Sequence, residues 1–232
     1  MPSTIQSEEV AWENHVMDPR MRAIFPPLGL RLSSGRLELR GIGEEEVLAL
    51  VDVVREGVHP TDQMPFSFPW TDVDPGDLPL NYLQWWWRGM ALWSTDAWSL
   101  DLCVRWDGEV VGVQGVTTQD FLTLRFGETG SWLGQRHQGA GIGTAMRRAL
   151  CTLLFEHLDF EFVTSAAFTD NPASLRVSEK LGFRENGSNR HARRGDPVEM
   201  RHLMLNREDF VPDPELRVEG VPAMRRFIGL DS

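Results

Sequence analysis

Lysine is nearly absent: Lys180 is the sole lysine, and the other 22 of the 23 basic side chains are arginines. Cysteine is almost as scarce. Cys103 and Cys151 stand far apart, with no Cys-x-x-Cys pair and no histidine–cysteine cluster at metal-ligand spacing. That excludes a disulfide framework and a structural zinc, and no metal is expected. Positive charge is also in short supply. With 34 acidic residues against 23 basic ones the net charge is −11, so the basic surface that nucleic-acid phosphates require is missing. No apolar run reaches bilayer-spanning length, and no basic stretch followed by an apolar one opens the chain; neither a membrane segment nor a signal peptide is expected. These absences predict a cytoplasmic protein without nucleic-acid or membrane partners. The acidic balance suits a cationic acceptor, though solubility accounts for it equally well.

At 232 residues the chain is long enough to bury a full core without staples. Residues 1–35 read as an irregular N-terminal extension, broken at Asp18-Pro19 and Pro26-Pro27-Leu28-Gly29, with one short strand near Leu28 to Leu32. Residues 36–208 form the main domain, and 209–232 a proline-punctuated tail. Alternation at Leu37 and Leu39 predicts a strand, and Val47, Leu50, Val51 and Val54 predict an amphipathic helix over Glu44 to Glu56. Gly57 to Gly76 is a loop too apolar to be merely solvated, and is expected to fold over the core or a substrate. Helical spacing returns over Leu78 to Trp93. The run Trp85-Trp86-Trp87 cannot all face one way; this helix is read as core or as the interface of a homo-oligomer, with an acceptor-site wall as the lesser alternative.

Asp107-Gly108 between two alternating runs predicts a hairpin. Leu122 to Leu133 reads as a further strand, Phe160 to Phe168 as another, Pro172 to Leu181 as a short helix, and Phe183 to Arg190 and Val198 to Leu205 as the last strands. The order implies an α/β (α+β-like) arrangement with a mixed sheet rather than a regular βαβ alternation.

One segment carries chemistry. Gln138-Gly139-Ala140-Gly141-Ile142-Gly143 lies between the strand Glu128 to Leu133 and a helix reaching His157. Strand, glycine turn, helix is the general way to bind phosphate: small residues let backbone N–H groups approach, and the helix end adds about half a positive charge. A Walker A loop is excluded because no lysine is present, and the dinucleotide fingerprint because Thr144 and Met146 stand where its last glycine belongs. Taken alone, the triplet is equally a tight turn without a ligand.

Its context decides. Gln138-x-x-Gly141-x-Gly143 resembles the Gln/Arg-x-x-Gly-x-Gly/Ala motif of the GNAT (GCN5-related N-acetyltransferase) superfamily. Asn171-Pro172-Ala173-Ser174-Leu175-Arg176-Val177-Ser178-Glu179-Lys180-Leu181-Gly182-Phe183 resembles that family's second signature. The resemblance runs from about Leu37 to Leu205 and is nearest the RimJ/RimL-like branch. Glu56 to His59, Met64 to Thr71 and Trp98 to Leu100 are similar to a bacterial subgroup linked to succinyl-CoA.

The resemblance implies a GNAT fold, a mostly antiparallel sheet of about seven strands flanked by helices. It also implies an N-acyltransferase moving an acetyl or succinyl group from acetyl-CoA or succinyl-CoA to an amine: a protein N-terminus, a lysine or a small molecule. Gln138, Gly139, Ala140, Gly141, Ile142, Gly143 and Thr144 would hold the pyrophosphate. Trp132 and Leu133 would pair with the pantetheine amides, and Asn171 and Ser174 would contact the pantetheine or thiol end. The tyrosine of the second signature, which protonates the leaving thiolate in many relatives, is Ser178 here. Ser174 is the candidate donor in its place, and Glu128 the candidate general base, with a solvated strand carboxylate as its alternative. His59, Asp62 and Trp70 are candidates for the acceptor site, and Arg88 or Arg125 for a succinyl carboxylate. The other reading is a non-catalytic acyl-CoA-binding or regulatory module.

Overall fold

A computed structural model describes residues 18–231. The predicted extension therefore lies outside the described residues up to position 17. The first element is a short helix α1 (Pro19–Ile24) whose cap, Asp18, accepts the Arg20 N–H at 2.9 Å. A 3-10 turn (Pro26–Gly29) leads into strands β1 (Arg31–Ser34) and β2 (Leu37–Gly41), so the predicted Leu28 to Leu32 strand begins three residues later, after the paired prolines. Helix α2 (Glu44–Glu56) buries Val47, Leu50, Val51 and Val54, as their spacing requires, and the Glu46 carboxylate accepts the Gly43 N–H at 3.1 Å. Helix α3 (Leu78–Ala91) buries only Tyr82. Trp86 donates its indole N–H to the Ile42 carbonyl at 3.2 Å, while Trp85 and Trp87 remain 53% and 51% exposed. The tryptophan run is thus surface more than core.

Strands β3 (Ala97–Trp106) and β4 (Glu109–Gln119) form the predicted hairpin, with Asp107 and Gly108 at φ 51° and 83°, the signs a type I′ turn requires. The predicted strand over Leu122 to Leu133 is corrected. Asp120 and Arg125, both at φ 50°, bracket one helical turn, α4 (Phe121–Leu124), before β5 (Phe126–Leu133) begins. Phe121 is fully buried by that turn and packs on Phe160, a tertiary contact that outweighs the strand-like spacing. The chain continues through α5 (Ile142–His157), β6 (Phe162–Phe168), α6 (Pro172–Lys180), β7 (Arg184–Arg193), β8 (Asp196–Asn206), β9 (Arg217–Glu219) and α7 (Val221–Phe227).

The strands make one sheet in the order β7-β8-β6-β5-β4-β3-β2-β1-β9. Every neighbouring pair is antiparallel except β5 and β6. Nine strands stand where about seven were expected, because residues before 36 and after 208 supply β1 and β9 and pair with each other at one edge. Met224 and Ile228 of the C-terminal segment are buried in the main core.

The sheet separates two apolar layers. On one side Leu39, Leu100, Leu102, Val116 and Val163 meet Met146, Leu150, Leu153 and Leu154 of α5; on the other, Cys103, Val110 and Val113 meet α2 and Tyr82. The period-2 alternation along β3 sorts Leu100 and Leu102 to the first side and Asp101 and Cys103 to the second.

Candidate active site

Beyond Leu133 the chain makes a 3-10 turn (Gln135–His137) and then bends through Gly139 and Gly141, at φ 76° and 84°, into α5. Glycine fits these left-handed positions without the strain a side chain would carry. The bend leaves an unusual surface. Among the described residues, the N–H groups of residues 139–143 donate to no protein acceptor, whereas Thr144 N–H already bonds the Gly141 carbonyl at 3.1 Å. These amides stand at the positive end of a 16-residue helix, an arrangement built to receive an anion. Gln138 secures it by donating its side-chain amide to the Val58 carbonyl at 2.8 Å and the Leu133 carbonyl at 3.0 Å. Its side chain is thereby occupied. Ile142 is buried, and Gly143 faces Val177 of α6 closely enough that a Cβ would lie 3.4 Å from it.

Next to this bend the sheet opens. β5 and β6 pair only at Phe126–Phe162, Gly127–Val163 and Glu128–Thr164. Thr129 Oγ1 donates to the Thr164 carbonyl at 3.0 Å, and from there the strands diverge, so the β6-facing backbone edge of residues 130–133 is left for another chain of amides. On the α5 side the gap is filled by Arg147. It donates to Ser131 of β5 (3.0 Å), Ser165 of β6 (3.3 Å) and Ser178 of α6 (3.0 Å). The guanidinium is fully enclosed with no carboxylate partner among the described residues, and burial lowers its pKa.

Asn171 caps α6, its Oδ1 accepting the Ser174 N–H at 3.2 Å. Ser174 is half-buried, with its hydroxyl free of protein partners among the described residues. Ser178, by contrast, is wholly buried against Arg147. Just before the cap, Asp170 takes a two-pronged contact from Arg193 at 2.9 and 2.6 Å, and Arg193 also lies 4.5 Å over the Phe168 ring.

Glu128 is exposed on the sheet face opposite α5 and shares its row with Thr117 and Thr164. It makes no hydrogen bond to Ser174. The aromatic loop folds over the same face farther along β5. Trp70 is half-buried, with its ring 5.9 Å from Trp132, 5.8 Å from Tyr82 and 5.2 Å from Phe66. His59 spends both ring nitrogens within the loop, on the Pro60 carbonyl and Thr71 Oγ1, each at 2.7 Å. Asp62 is exposed. Arg125 lies over the Phe121 ring at 5.4 Å and Arg88 is exposed on α3; neither hydrogen-bonds at the β5–β6 gap. Among the described residues no three His, Cys, Asp or Glu side chains converge as a metal site.

Three positions escaped the sequence reading. Arg147 interrupts an otherwise apolar helix stripe, Asp101 interrupts an apolar central strand, and Tyr82 lies 5.9 Å from Trp132 although it falls far from both motifs in the chain. A charge inside an apolar period was the available signal for the first two.

Residues 36–184 match the family model described as "Acetyltransferase (GNAT) domain". Among curated proteins, "Putative ribosomal N-acetyltransferase YdaF" of Bacillus subtilis (strain 168) is 35% identical over 85 residues, a match spanning 37% of this chain and 46% of that protein, so less than half of the relative's length is covered. Among solved structures, Mycobacterium smegmatis RimJ in complex with CoA-disulfide superposes with a TM-score of 0.66 at 18% identity, over 85% of this chain and 92% of that one. RimL, the ribosomal L7/L12 alpha-N-protein acetyltransferase in complex with coenzyme A, gives 0.61 at 20% identity, over 75% and 95%. At such identities these two likenesses establish the fold alone.

Proposed function

The chain belongs to the GNAT acetyltransferase family, and from that premise we propose that it moves an acetyl or succinyl group from CoA to an amine by direct attack on the thioester. The observation that carries the reading is the row of N–H groups at residues 139–143, without protein acceptors, beside the opened β5–β6 edge. A pyrophosphate matches the first feature and an extended chain of amides the second. The N–H groups of residues 139–143 would hold the diphosphate, with Gln138's side chain shaping the bend instead of touching the ligand and Thr144 N–H closing the first turn of α5. Trp132 and Leu133 would pair with the pantetheine, and Asn171 and Ser174 would face its thiol end.

The reaction requires a neutral amine, since an ordinary alkyl ammonium titrates near 10.4. Glu128 would take the proton as the nitrogen bonds to the thioester carbon. The C–S bond then breaks, and the thiolate is protonated from the side of Ser174, whose hydroxyl has no other partner. Ser178 cannot do this, because its hydroxyl is buried against Arg147. The acceptor includes protein N-termini in this reading, since YdaF and RimL are described as acting on ribosomal proteins.

The missing tyrosine favours one second reading, an acyl-CoA-binding module without turnover. Calorimetry with acetyl-CoA and succinyl-CoA, followed by thiol release with an amine panel, separates the two. Binding with turnover is expected. Ala140→Glu, which sets a negative charge at the exposed bend without demanding a new backbone conformation, should abolish binding and leave the melting temperature unchanged. Failure of both CoA esters to bind at millimolar concentration would sink the proposal.

A further inference from the structure

Asp101 lies between Leu100 and Leu102, which face the α5 core, so its carboxylate emerges on the opposite face of the sheet. There it has no ion pair and no hydrogen bond among the described residues; burial is the sole influence on its charge. Its direction is fixed by its neighbours. Asp101 pairs with Gly115 of β4, and Gly115 pairs with Gly130 of β5. A Cβ on Gly115 would collide with Asp101 Oδ1, whereas one on Gly130 would meet nothing within 4 Å. The carboxylate therefore leans across β4 toward β5, over a strip of sheet bare of side chains. Glu128 stands on the same face, two residues before Gly130.

On the other side of Asp101 opens a shallow cleft of about 50 Å³ between α3, the Pro27–Leu28 turn and β3. Its walls include Trp85, Trp86, Met90, Trp93 and Ile42, and Asp101 is its one charged lining residue. An unpaired carboxylate beside an indole-lined cleft matches a cation: the charge-assisted hydrogen bond satisfies the carboxylate, and the ring faces attract the same charge. A neutral or anionic guest would leave the charge unmatched.

We propose that Asp101 is the acceptor-binding residue, holding a primary ammonium whose apolar substituent lies in the cleft against Trp85 and Met90 while the glycine strip presents the nitrogen toward Glu128 and the thioester. The assignment rests on the acyl-transfer reading and narrows its acceptor to amines with an apolar body, either small arylalkylamines or peptide N-termini beginning with an apolar residue. The ammonium gives one proton to Glu128, the neutral nitrogen bonds to the acyl carbon, the C–S bond breaks with its electron pair on sulfur, and the second proton lost by the nitrogen passes to that thiolate. Packing around Asp101 pushes its carboxyl up to about 6 although the residue is exposed, so the cation is held by charge pairing and ring contact rather than by relief of a desolvated charge.

The test is thiol release with acetyl-CoA and succinyl-CoA against 2-phenylethylamine, a short peptide with an N-terminal leucine, and spermidine. The first two should be preferred to spermidine, and which of them is better identifies the source. Asp101→Asn should raise the amine KM at least tenfold, a loss of about 1.4 kcal/mol or more, with the CoA-ester KM unchanged and partial rescue by Asp101→Glu. Gly130→Val, which fills the strip where space is open, should raise the same KM in a protein that melts normally. An unchanged amine KM in Asp101→Asn, or a preference for spermidine, overturns the assignment. If no CoA ester binds, the acyl-transfer reading fails first, and calorimetry of 2-phenylethylamine on wild type and Asp101→Asn still decides whether Asp101 holds the amine.

Discussion

Arg147 and Ser178 hydrogen-bond at 3.0 Å inside the molecule, at a place no carboxylate reaches. The same guanidinium joins Ser131 and Ser165 across the diverging strands, so one buried cation ties α5, α6, β5 and β6 together where the cofactor edge opens. Its Nε has no partner. A buried charge held only by hydroxyls is a costly device, and its retention at the gap points to positioning rather than to stability.

Restoring the family's tyrosine should therefore damage this protein. Ser178→Tyr must displace Arg147 from a wholly buried position, and overpacking of that kind costs about 1–3 kcal/mol. Arg147→Leu alone is expected to be neutral or mildly stabilising, while weakening CoA-ester binding because the gap loses its spacer. The double variant should melt higher than Ser178→Tyr alone. An equal drop in melting temperature on Ser178→Tyr in both backgrounds would show that the two residues are not coupled.

Asp101 should trade stability for binding. Its folded pKa of about 6 lies above the ordinary 3.8, so between those values the native state holds the proton that the unfolded chain has released. Stability accordingly falls as pH rises through this window. Tyr82, Cys103 and Glu128 lie on this face with Glu38, Arg40 and Arg105, and burial raises the phenol and the thiol, the thiol to about 12. Asp101 is exposed, so solvent screening leaves only part of that effect: Asp101→Asn should raise the melting temperature slightly at pH 7.5 and change it little at pH 4. A drop in melting temperature at pH 7.5 would show that Asp101 has a stabilising partner.

How legible this was depended on sequence distance. The glycine bend could be read because its left-handed turns sit on its own glycines, although its tie to Val58 spans 80 positions and left no local sign, and Asn171 because a cap and its N–H are three apart. Arg147 and Ser178 are 31 positions apart, and no local rule links a helix arginine to a serine in another helix. The turn at Phe121–Leu124 was hidden because its spacing mimics a strand; the left-handed residues that bracket it are Asp120 and Arg125, neither of them glycine. The aromatic loop was rightly suspected of covering something, yet what fastens it could not be foreseen. Arg194 bonds Asp72 at 2.8 and 2.6 Å, and His191 Nε2 lies 2.9 Å from the Ser67 carbonyl, each across more than a hundred residues.

Arg193 should control how that loop sits. It contacts the Met64 carbonyl at 3.4 Å while gripping Asp170 next to the α6 cap, so it couples the loop to Asn171. Asp170 is largely solvent-exposed, and an exposed pair contributes at most about 1 kcal/mol. The guanidinium lowers the Asp170 pKa, so this contribution is present above the ordinary carboxylate range and is lost as pH falls through the folded value. Arg193→Ala is expected to lower the melting temperature slightly and to raise the KM for amine several-fold, with limited proteolysis increasing between residues 57 and 77. Unaltered proteolysis of that segment would remove the loop from Arg193's control.

Glu128 is the sharpest test of the chemistry, because nothing in the fold depends on its side chain. It is exposed, lies on a bare patch of sheet and contributes no ion pair or hydrogen bond among the described residues. Glu128→Gln keeps the shape and removes the proton acceptor, so the melting temperature and CoA-ester affinity should not move. A positioned general base contributes about 10²–10⁴-fold to rate, and a fall in kcat within that range is expected at neutral pH. Loss of a base also leaves a signature that loss of binding does not: the variant's rate should recover steeply at high pH, where the free amine is already deprotonated, whereas Asp101→Asn should instead be rescued by more amine. If Glu128→Gln turns over normally at neutral pH, the proton leaves by another path, and Asp101, leaning toward the same glycine, is the next carboxylate to examine.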